Sequence, residues 1–210
     1  MGMETTHIIN RLRKAAAHKR ALIGGLLGVI SALLSSYPET PDYLVILRTP
    51  LPPAFWFGIV LCISVALWES STLFDLFAIM LTSFIAWAAA IQAAVHVHDA
   101  INSQVPTEIN YLFAICGIAG GFVGSTIIVF GLSTLSRGFR TSGGWARSIL
   151  FGTVAGALLE FGDGPSEHGL PIHIGSIVPL FLFWQVSVAA SIAYSLGKPG
   201  VDPGKPKSAV

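Results

Sequence analysis

The sequence is short of ionisable side chains. Only 11% of its 210 residues are Asp, Glu, Lys or Arg, whereas soluble domains carry about 25%. Hydrophobic residues make up 53% of the chain and the mean hydropathy is +0.71, so too few charges remain to cover a surface in contact with water. The net charge of +1 provides no basic face for nucleic acid. The composition excludes a soluble enzyme, a disordered chain and a nucleic-acid-binding domain, and favours an integral membrane protein in contact with the lipid bilayer.

Cysteine is also scarce. Cys62 and Cys116 lie within apolar stretches, where thiols usually serve as small packing groups. Two cysteines provide neither a disulfide framework nor a four-ligand zinc site. The sequence lacks a Gly-x-Ser-x-Gly elbow, a His-Glu-x-x-His pair, a dinucleotide fingerprint and a Cys-x-x-Cys pair. An enzymatic function therefore rests on one histidine-rich group, and the sequence leans away from an enzyme.

What the chain has instead is a series of apolar stretches. A membrane-spanning helix needs about 20 apolar residues, within a range of roughly 17 to 25, and six stretches qualify or come close. We predict an all-α, six-span membrane domain over residues 21–197, with a tight turn at Glu69 between the second and third spans. The predicted spans are residues 21–37, 54–68, 72–95, 111–135, 146–161 and 176–197.

The basic residues give an independent prediction of orientation, because cytoplasmic loops are enriched in Lys and Arg. With six spans, all but one of the 12 Lys and Arg residues fall on one side, and Arg48 alone falls on the other. Both termini are therefore predicted to be cytoplasmic, in a plasma (inner) membrane. A cleaved signal peptide is the alternative for the first span, although residues 34–36 match a cleavage site poorly.

The two ends of the chain differ from the membrane domain. Residues 1–20 are basic and place Ile8, Ile9 and Leu12 near one helical face. That pattern fits a short helix lying on the anionic cytoplasmic leaflet, and a flexible basic tail is the alternative. Residues 198–210 are rich in proline and glycine and are predicted to be a disordered cytoplasmic tail.

Weak matches between the two halves of the chain raise the hypothesis of an inverted repeat. Each half holds three predicted spans, an odd number, so two such halves in tandem are inverted in the membrane. Inverted repeats are typical of transporters, where short, glycine-interrupted spans mark the binding site. The matching segments are residues 24–28 with 120–124, 57–60 with 151–154, and 85–87 with 192–194.

Ionisable residues at membrane depth are functional candidates by default, but the sequence places none at mid-depth. The neutral polar residues at the centre of the spans either line a pocket or hydrogen-bond to neighbouring helices. The candidates for a pore or ligand site are Glu69, Asp75, Gln92, Glu160, Asp163 and Gln185.

Four of the six histidines are predicted to lie on the outer side of the membrane. Imidazole and carboxylate groups suit a divalent metal such as zinc, which is the cofactor that this face predicts. His96 and His98 share one face only if the helix has ended before them. A solvated loop and a pH sensor are the alternatives. The candidate metal ligands are His96, His98, Asp99, His168 and His173.

The predicted loop after the fourth span mixes arginine, glycine and hydroxyl residues. Arg137 and Arg140 are candidate ligands for a phosphate or for lipid headgroups. Glycines four residues apart, at positions 24 and 28 and at positions 120 and 124, predict close contact with another helix. That helix belongs either to the same bundle or to a second copy in a homo-oligomer.

Together these features predict a small polytopic membrane protein that serves as a channel or transporter for a small solute. One alternative is a non-catalytic membrane subunit that assembles with a partner protein. The other is an outward-facing His/Asp metal-site protein, either a sensor or a hydrolase. Because function does not follow from fold, only the geometry of a site can separate these classes.

Overall fold

The structure is a computed structural model that describes residues 15–35, 45–46, 49–50, 52–69, 71–104, 112–136, 139–140, 143–161 and 178–196. Over these residues the fold is helical. A 3-10 turn, Ala157–Phe161, extends the fifth helix, and Val45–Ile46 pairs antiparallel with Thr49–Pro50 in a short ladder. The six helices of the described residues are α1 Ala17–Ser35, α2 Pro52–Trp68, α3 Leu73–Gln104, α4 Leu112–Leu135, α5 Gly144–Gly156 and α6 Val178–Ser195.

The helices α1, α3 and α4 are long and apolar enough to cross a membrane, whereas α2, α5 and α6 are apolar but shorter. Each helix lies where a span was predicted. The largest difference is in α3, which continues to Gln104 rather than ending at residue 95. Hydropathy marks where a chain leaves an apolar environment, whereas backbone hydrogen bonds continue a helix through polar residues as well. The end of the apolar stretch was therefore not the end of the helix.

Successive helices pack against one another along the chain, and α1 packs against α6 to close the series. The α2–α3 pair shows their relative direction. Ser83 Oγ on α3 donates to the carbonyl oxygen of Ala54 on α2 at 2.8 Å, and Cys62 Sγ on α2 donates to the carbonyl oxygen of Leu76 on α3 at 3.2 Å. The contact moves forward along α2 and backward along α3, so the two helices are antiparallel.

Several helix ends meet at one end of the bundle. Arg20, near the start of α1, donates from Nε to the carbonyl oxygen of Ala193 near the end of α6, at 3.3 Å. Arg147, near the start of α5, donates from Nη2 to Ser195 Oγ at 3.1 Å. We name this end the arginine end and the opposite one the far end. Every Lys and Arg among the described residues lies at the arginine end: Lys19, Arg20, Arg140 and Arg147.

Large apolar side chains lie on the surface of the bundle as well as in its core, and some polar side chains are buried between the helices. Leu73, Phe74 and Phe130 are 85%, 75% and 72% exposed. Gln185 and Ser125, by contrast, are 1% and 0% exposed. A protein folded in water buries its large apolar residues and exposes its polar ones. Apolar residues facing outward, with small and polar residues between helices, are typical of helices packed in lipid.

Glycine brings α4 and α5 into backbone contact. Gly117 and Gly121 on α4 face Gly156 and Gly152 on α5, and a Cβ at Gly117 or Gly156 would overlap the carbonyl oxygen of the other residue. Only glycine lets two helices approach this closely, which favours van der Waals contact and Cα–H···O contacts. The positions of α4 and α5 relative to each other are therefore fixed by four residues without side chains.

The two glycine pairs that the sequence singled out also lie between helices of this chain. Gly24 and Gly28 on α1 face the backbone of α6, and Gly120 and Gly124 on α4 face the alanines of α3. The prediction of close helix contact is confirmed for both pairs. The contacts are within the bundle, so these glycines are not available as a homo-oligomer interface.

Candidate functional site

An apolar cavity of about 260 Å³ lies between α3, α4, α6 and the 3-10 turn, and it is open on one side. It occupies the half of the bundle next to the far end. Trp87 and Ile91 form one wall, Phe181 and Trp184 form another, and glycines of α4 leave the space between them. The volume is close to the lower limit of about 300 Å³ for small-molecule sites. Walls of this kind fit an apolar molecule or the apolar part of one.

The indole of Trp184 forms the floor of this cavity. An added Cβ at Gly124 on α4 would lie 3.5 Å from Trp184 Cζ2, and one at Gly152 on α5 would lie 3.2 Å from Trp184 Nε1. The ring therefore occupies the space between α4 and α5. It also contacts Phe57 on α2, with ring centroids 5.0 Å apart. Trp184 thus separates the cavity from the half of the bundle next to the arginine end.

A buried hydroxyl lies beside the Nε1 edge of this ring. Ser125 is fully buried, and its Oγ has no hydrogen-bond partner within the part of the chain that the structure describes. The atom points at the Cα of Gly152, where an added Cβ would overlap it. An unpaired hydroxyl in an apolar interior costs roughly 1–3 kcal/mol. Ser125 shares this property with other buried polar side chains of the bundle, among them Ser31, Ser64 and Thr126, but it is the one that lies beside Trp184.

Further hydroxyls continue from Ser125 toward the arginine end. Ser148, one turn before Gly152 on α5, donates from Oγ to Ser191 Oγ at 3.0 Å. Ser195 Oγ donates to the carbonyl oxygen of Ser191 at 2.9 Å, and Arg147 contacts Ser195 as described above. We name this set the hydroxyl line. Its members are Ser125, Ser148, Ser191 and Ser195.

Arg147 closes the hydroxyl line at the arginine end. Its guanidinium carbon lies 4.6 Å from the centroid of the Tyr194 ring, a distance at which a cation is attracted to an aromatic face. The Nε atom of Arg147 is buried and has no hydrogen-bond partner among the described residues. Among the described residues, no carboxylate pairs with the positive charge at the end of the line.

Two of the predicted pore or ligand residues make local contacts at the arginine end. Glu69 Oε1 accepts a hydrogen bond from Ser136 Oγ at 2.6 Å, and the backbone N–H of Phe139 donates to the same Ser136 Oγ at 2.9 Å. Asp75 Oδ2 accepts from the backbone N–H and hydroxyl of Thr72 at 2.7 and 2.8 Å. The Thr72–Asp75 pair is a capping box that begins α3.

The other residues of that set do not meet these two. Gln92 is exposed on α3. Gln185 is buried, donates from Nε2 to Ser35 Oγ at 3.1 Å, and keeps an Oε1 without a partner in the described residues. The side chain of Glu160 and all of Asp163 lie outside the described residues. The structure thus brings none of these candidates together, and their role in a solute path stays a prediction.

The predicted metal ligands are only partly described. His96 is exposed, and His98 Nδ1 lies 3.3 Å from Asp99 Oδ1 while its ring stacks on Phe113. Both histidines lie within α3, so their side chains diverge by about 200° around the helix. Residues 15–161 contain, where they are described, no group of three metal-ligating side chains. His168 and His173 lie outside the described residues, so the metal site stays a prediction.

The predicted phosphate ligands are also divided. Arg140 donates from Nε to the carbonyl oxygen of Ser133 at 2.8 Å and from Nη2 to that of Thr134 at 3.4 Å. These carbonyls belong to the last turn of α4, where a cation is favoured by the helix dipole. Arg137 lies outside the described residues. Arg140 therefore caps a helix here, and phosphate binding stays a prediction.

The hydroxyl line was only partly visible in the sequence. Ser125 and Ser191 stood out as polar residues within apolar spans, but Ser148 and Trp184 did not. The four-residue spacing of Ser191 and Ser195 is a signal for one helical face. Ser148 contacts that face from a position 43 residues away from Ser191, and a local sequence pattern does not reveal such a contact.

Comparison of this chain with protein-family models, with curated proteins and with solved structures finds no match.

Proposed function

We propose that this chain is an integral membrane protein with six spans, whose arginine end faces the cytoplasm. The antiparallel order of the helices supports it, as does the apolar surface of the bundle. The position of every described Lys and Arg at one end agrees with the enrichment of basic residues on the cytoplasmic side. Both termini are then cytoplasmic, and the membrane is a plasma (inner) membrane.

The three shorter helices are compatible with this arrangement. α2 has 17 residues and α6 has 18, which correspond to roughly 26 Å at 1.5 Å per residue. α5 has only 13 residues, and the 3-10 turn of five residues that continues it brings the segment to roughly 30 Å. The hydrocarbon core of a bilayer is about 30 Å thick. A mismatch of a few ångströms is accommodated by local thinning of the bilayer at modest cost. In this proposal the shorter helices α2, α5 and α6 therefore cross the membrane beside the longer ones.

An inverted repeat is part of the proposal, and the helix contacts support it. Gly24 of α1 faces Ala189 and Ala193 of α6, and Gly120 of α4 faces Ala90 and Ala94 of α3. The same small residues thus form the α1–α6 and α4–α3 contacts, as a two-fold relation between halves requires. These contacts match Ala90 with Ala189, a different register from the sequence match of residues 85–87 with 192–194.

We propose that the bundle transports a small solute along a path between α4, α5 and α6. The observation that carries this proposal is the arrangement about Trp184. An apolar cavity lies on one side of its ring, and the hydroxyl line lies on the other. Transporter sites lie at the interface between the two repeats, and this cavity lies between α3 of the first half and α4 and α6 of the second. In this reading the cavity is the outer site and Trp184 is the barrier.

Cysteine accessibility tests the path. In a Cys62→Ala/Cys116→Ala background, Ser148→Cys places a thiol on the hydroxyl line, and Leu150→Cys places one on the apolar surface, where Leu150 is 59% exposed. Sealed vesicles are treated with a membrane-impermeant thiol reagent from either side. Ser148 is fully buried in this conformation, so a reaction of the Ser148→Cys protein from the arginine side is expected only if the proposed path admits water there, whereas the Leu150→Cys protein is shielded by lipid.

The barrier has its own variant. Trp184→Ala removes the ring, so the Ser148→Cys thiol is expected to react also with reagent added on the side of the far end. Equal protection of Ser148→Cys and Leu150→Cys from both sides would count against a path. In that case the role of a membrane subunit that assembles with a partner becomes the better account, and recovery of a stoichiometric partner on purification in mild detergent would support it.

A further inference from the structure

The walls of the cavity restrict the charge of what it holds. Side chains from α3 and α6 and the glycines of α4 present an apolar surface. An ion that leaves water for such a surface loses its hydration without replacement, at a cost of many kcal/mol. The cavity therefore selects a neutral molecule, or the uncharged part of one, and the body of that molecule is apolar.

One polar group lies behind the Trp184 ring, outside the lining of the cavity. Ser125 Oγ is fully buried and unpartnered within the described residues, and it lies beside Gly152 at the Nε1 edge of Trp184. A hydroxyl both donates and accepts one hydrogen bond readily, and it carries no charge. A solute whose polar end passes the Trp184 ring meets this single group first. One unpaired hydroxyl can form a hydrogen bond with one polar end of a solute.

The rest of the hydroxyl line repeats that chemistry. Ser148 and Ser191 bond to each other at 3.0 Å, so a solute end of the same kind can replace either partner. The described part of the line has no carboxylate and no imidazole, which would hold a cation or exchange a proton. Arg147 at its end adds a positive charge, which disfavours the approach of cations.

From these observations we infer that the solute is a neutral molecule with an apolar body and a single hydrogen-bonding end, such as a hydroxyl, and that Ser125 is the residue that recognises this end. The inference rests on the proposed function, since it names the substrate class of the same path. The inference goes beyond the proposed function by assigning specificity to one side chain, Ser125, which the Trp184 ring separates from the cavity.

Photolabelling in lipid nanodiscs tests the inference on the full chain. The probe is octan-1-ol carrying a diazirine in its chain, and the competitors are unlabelled octan-1-ol, octane and octanoate. Labelled peptides are identified by mass spectrometry. The wild-type protein is expected to be labelled on the cavity helices α3, α4 or α6, and octan-1-ol is expected to compete better than octane or octanoate.

Two variants assign the preference to the hydroxyl. In the Trp184→Ala background, where the ring no longer separates the cavity from Ser125, Ser125→Ala is expected to lower the octan-1-ol to octane preference by about fivefold, the value of one hydrogen bond. Ser64→Ala is the matched control, because Ser64 Oγ is also buried and unpartnered in the described residues but lies on α2 away from the cavity. Since all variants are in the same bilayer, partitioning of the competitors into lipid cancels. Trp184→Ala is expected to raise the preference by opening the route to Ser125.

The outcomes separate this inference from the proposed function. Labelling that no competitor displaces would remove the cavity as a binding site, and with it the proposed transport path. Displacement by octane as effective as by octan-1-ol would leave the cavity and overturn the substrate class. Equal effects of Ser125→Ala and Ser64→Ala, or an unchanged preference in Trp184→Ala, would overturn the role of Ser125. Thermal unfolding of each variant shows that it is folded before its labelling is compared.

Discussion

At the scale of single residues, Gly152 is a position with no room for a side chain. An added Cβ there would overlap Ser125 Oγ and lie 2.8 Å from Ser125 Cβ and 3.2 Å from Trp184 Nε1. Both neighbours are held in the core, so neither moves aside easily. We expect Gly152→Ala to lower the free energy of unfolding by about 2 kcal/mol, as overpacking of a core does. Thermal unfolding in a mild detergent measures the change.

Gly25→Ala is the matched control for this substitution. A Cβ at Gly25 meets its nearest atoms, on Ala190 and Val186, at 3.8 Å, which is ordinary contact. Its unfolding temperature should therefore equal or exceed that of the wild type, because alanine favours a helix more than glycine does. Combining Gly152→Ala with Ser125→Gly should restore part of the lost stability. If Gly152→Ala and Gly25→Ala unfold alike, the close contact at Gly152 is wrong.

The roles of individual residues were predictable only where they are local. Thr72 and Asp75 show the spacing of a capping box in the sequence itself, although the carboxylate was considered for a solute path instead. Glu69 and Ser136, in contrast, are 67 positions apart. Their hydrogen bond depends on how α2 and α4 are placed, which no short pattern encodes. Each carboxylate thus has a hydrogen-bond partner in the fold, but only that of Asp75 is near it in the sequence.

At the scale of elements, the end of α6 depends on a residue of α1. Arg20 is 6% exposed and donates to the carbonyl oxygens of Ala193 and Tyr194 at 3.3 and 3.5 Å, and to that of Ala15 at 2.7 Å. The carbonyls of Ala193 and Tyr194 lie at the negative end of the α6 dipole. We expect Arg20→Ala to cost about 2 kcal/mol, the value of hydrogen bonds to a charged group. The unfolding midpoint in detergent measures the loss.

The exposed neighbour Lys19 provides the control for Arg20. Lys19→Ala removes the same formal charge from the same helix but no described hydrogen bond to α6. Its unfolding midpoint should stay within experimental error of the wild type. A loss of stability of similar size in both variants would mean that the net charge of the arginine end matters rather than the contacts of Arg20 with α6.

Helix positions were the most predictable feature of this chain, because a run of apolar residues marks a membrane-type helix in a single sequence. The contacts of Gly24 and Gly120 with neighbouring helices were also predictable in kind, since small residues four apart form a groove. The partner helix was not. Which face of α4 meets α5, and that Gly117 and Gly156 touch, depends on the whole bundle. The cavity followed from that same arrangement and had no sequence signal.

At the scale of the whole molecule, the number of spans decides which residues share a side of the membrane. Three exposed positions report it: Lys19 in the first turn of α1, Ser103 in the last turn of α3, and Arg140 after α4. In a background without Cys62 and Cys116, a single cysteine at each position is labelled in sealed vesicles by an impermeant thiol reagent. Six spans place the first and third positions in the cytoplasm and the second outside.

The expected result is labelling of Ser103→Cys from outside only, and of Lys19→Cys and Arg140→Cys from inside only. The reason is geometric: α3 and α4 run in opposite directions, so each crossing moves the chain to the other side. If Ser103→Cys and Arg140→Cys react from the same side, α4 does not cross, and the arrangement of six spans is wrong. If the Lys19→Cys protein lacks its N-terminal segment after expression, α1 is a cleaved signal peptide, and α6 loses the helix whose glycines it packs against. If α1 is retained and all three positions are labelled as expected, the six helices cross the membrane with α1 packed against α6. The proposed path at Trp184 then lies within a six-span bundle.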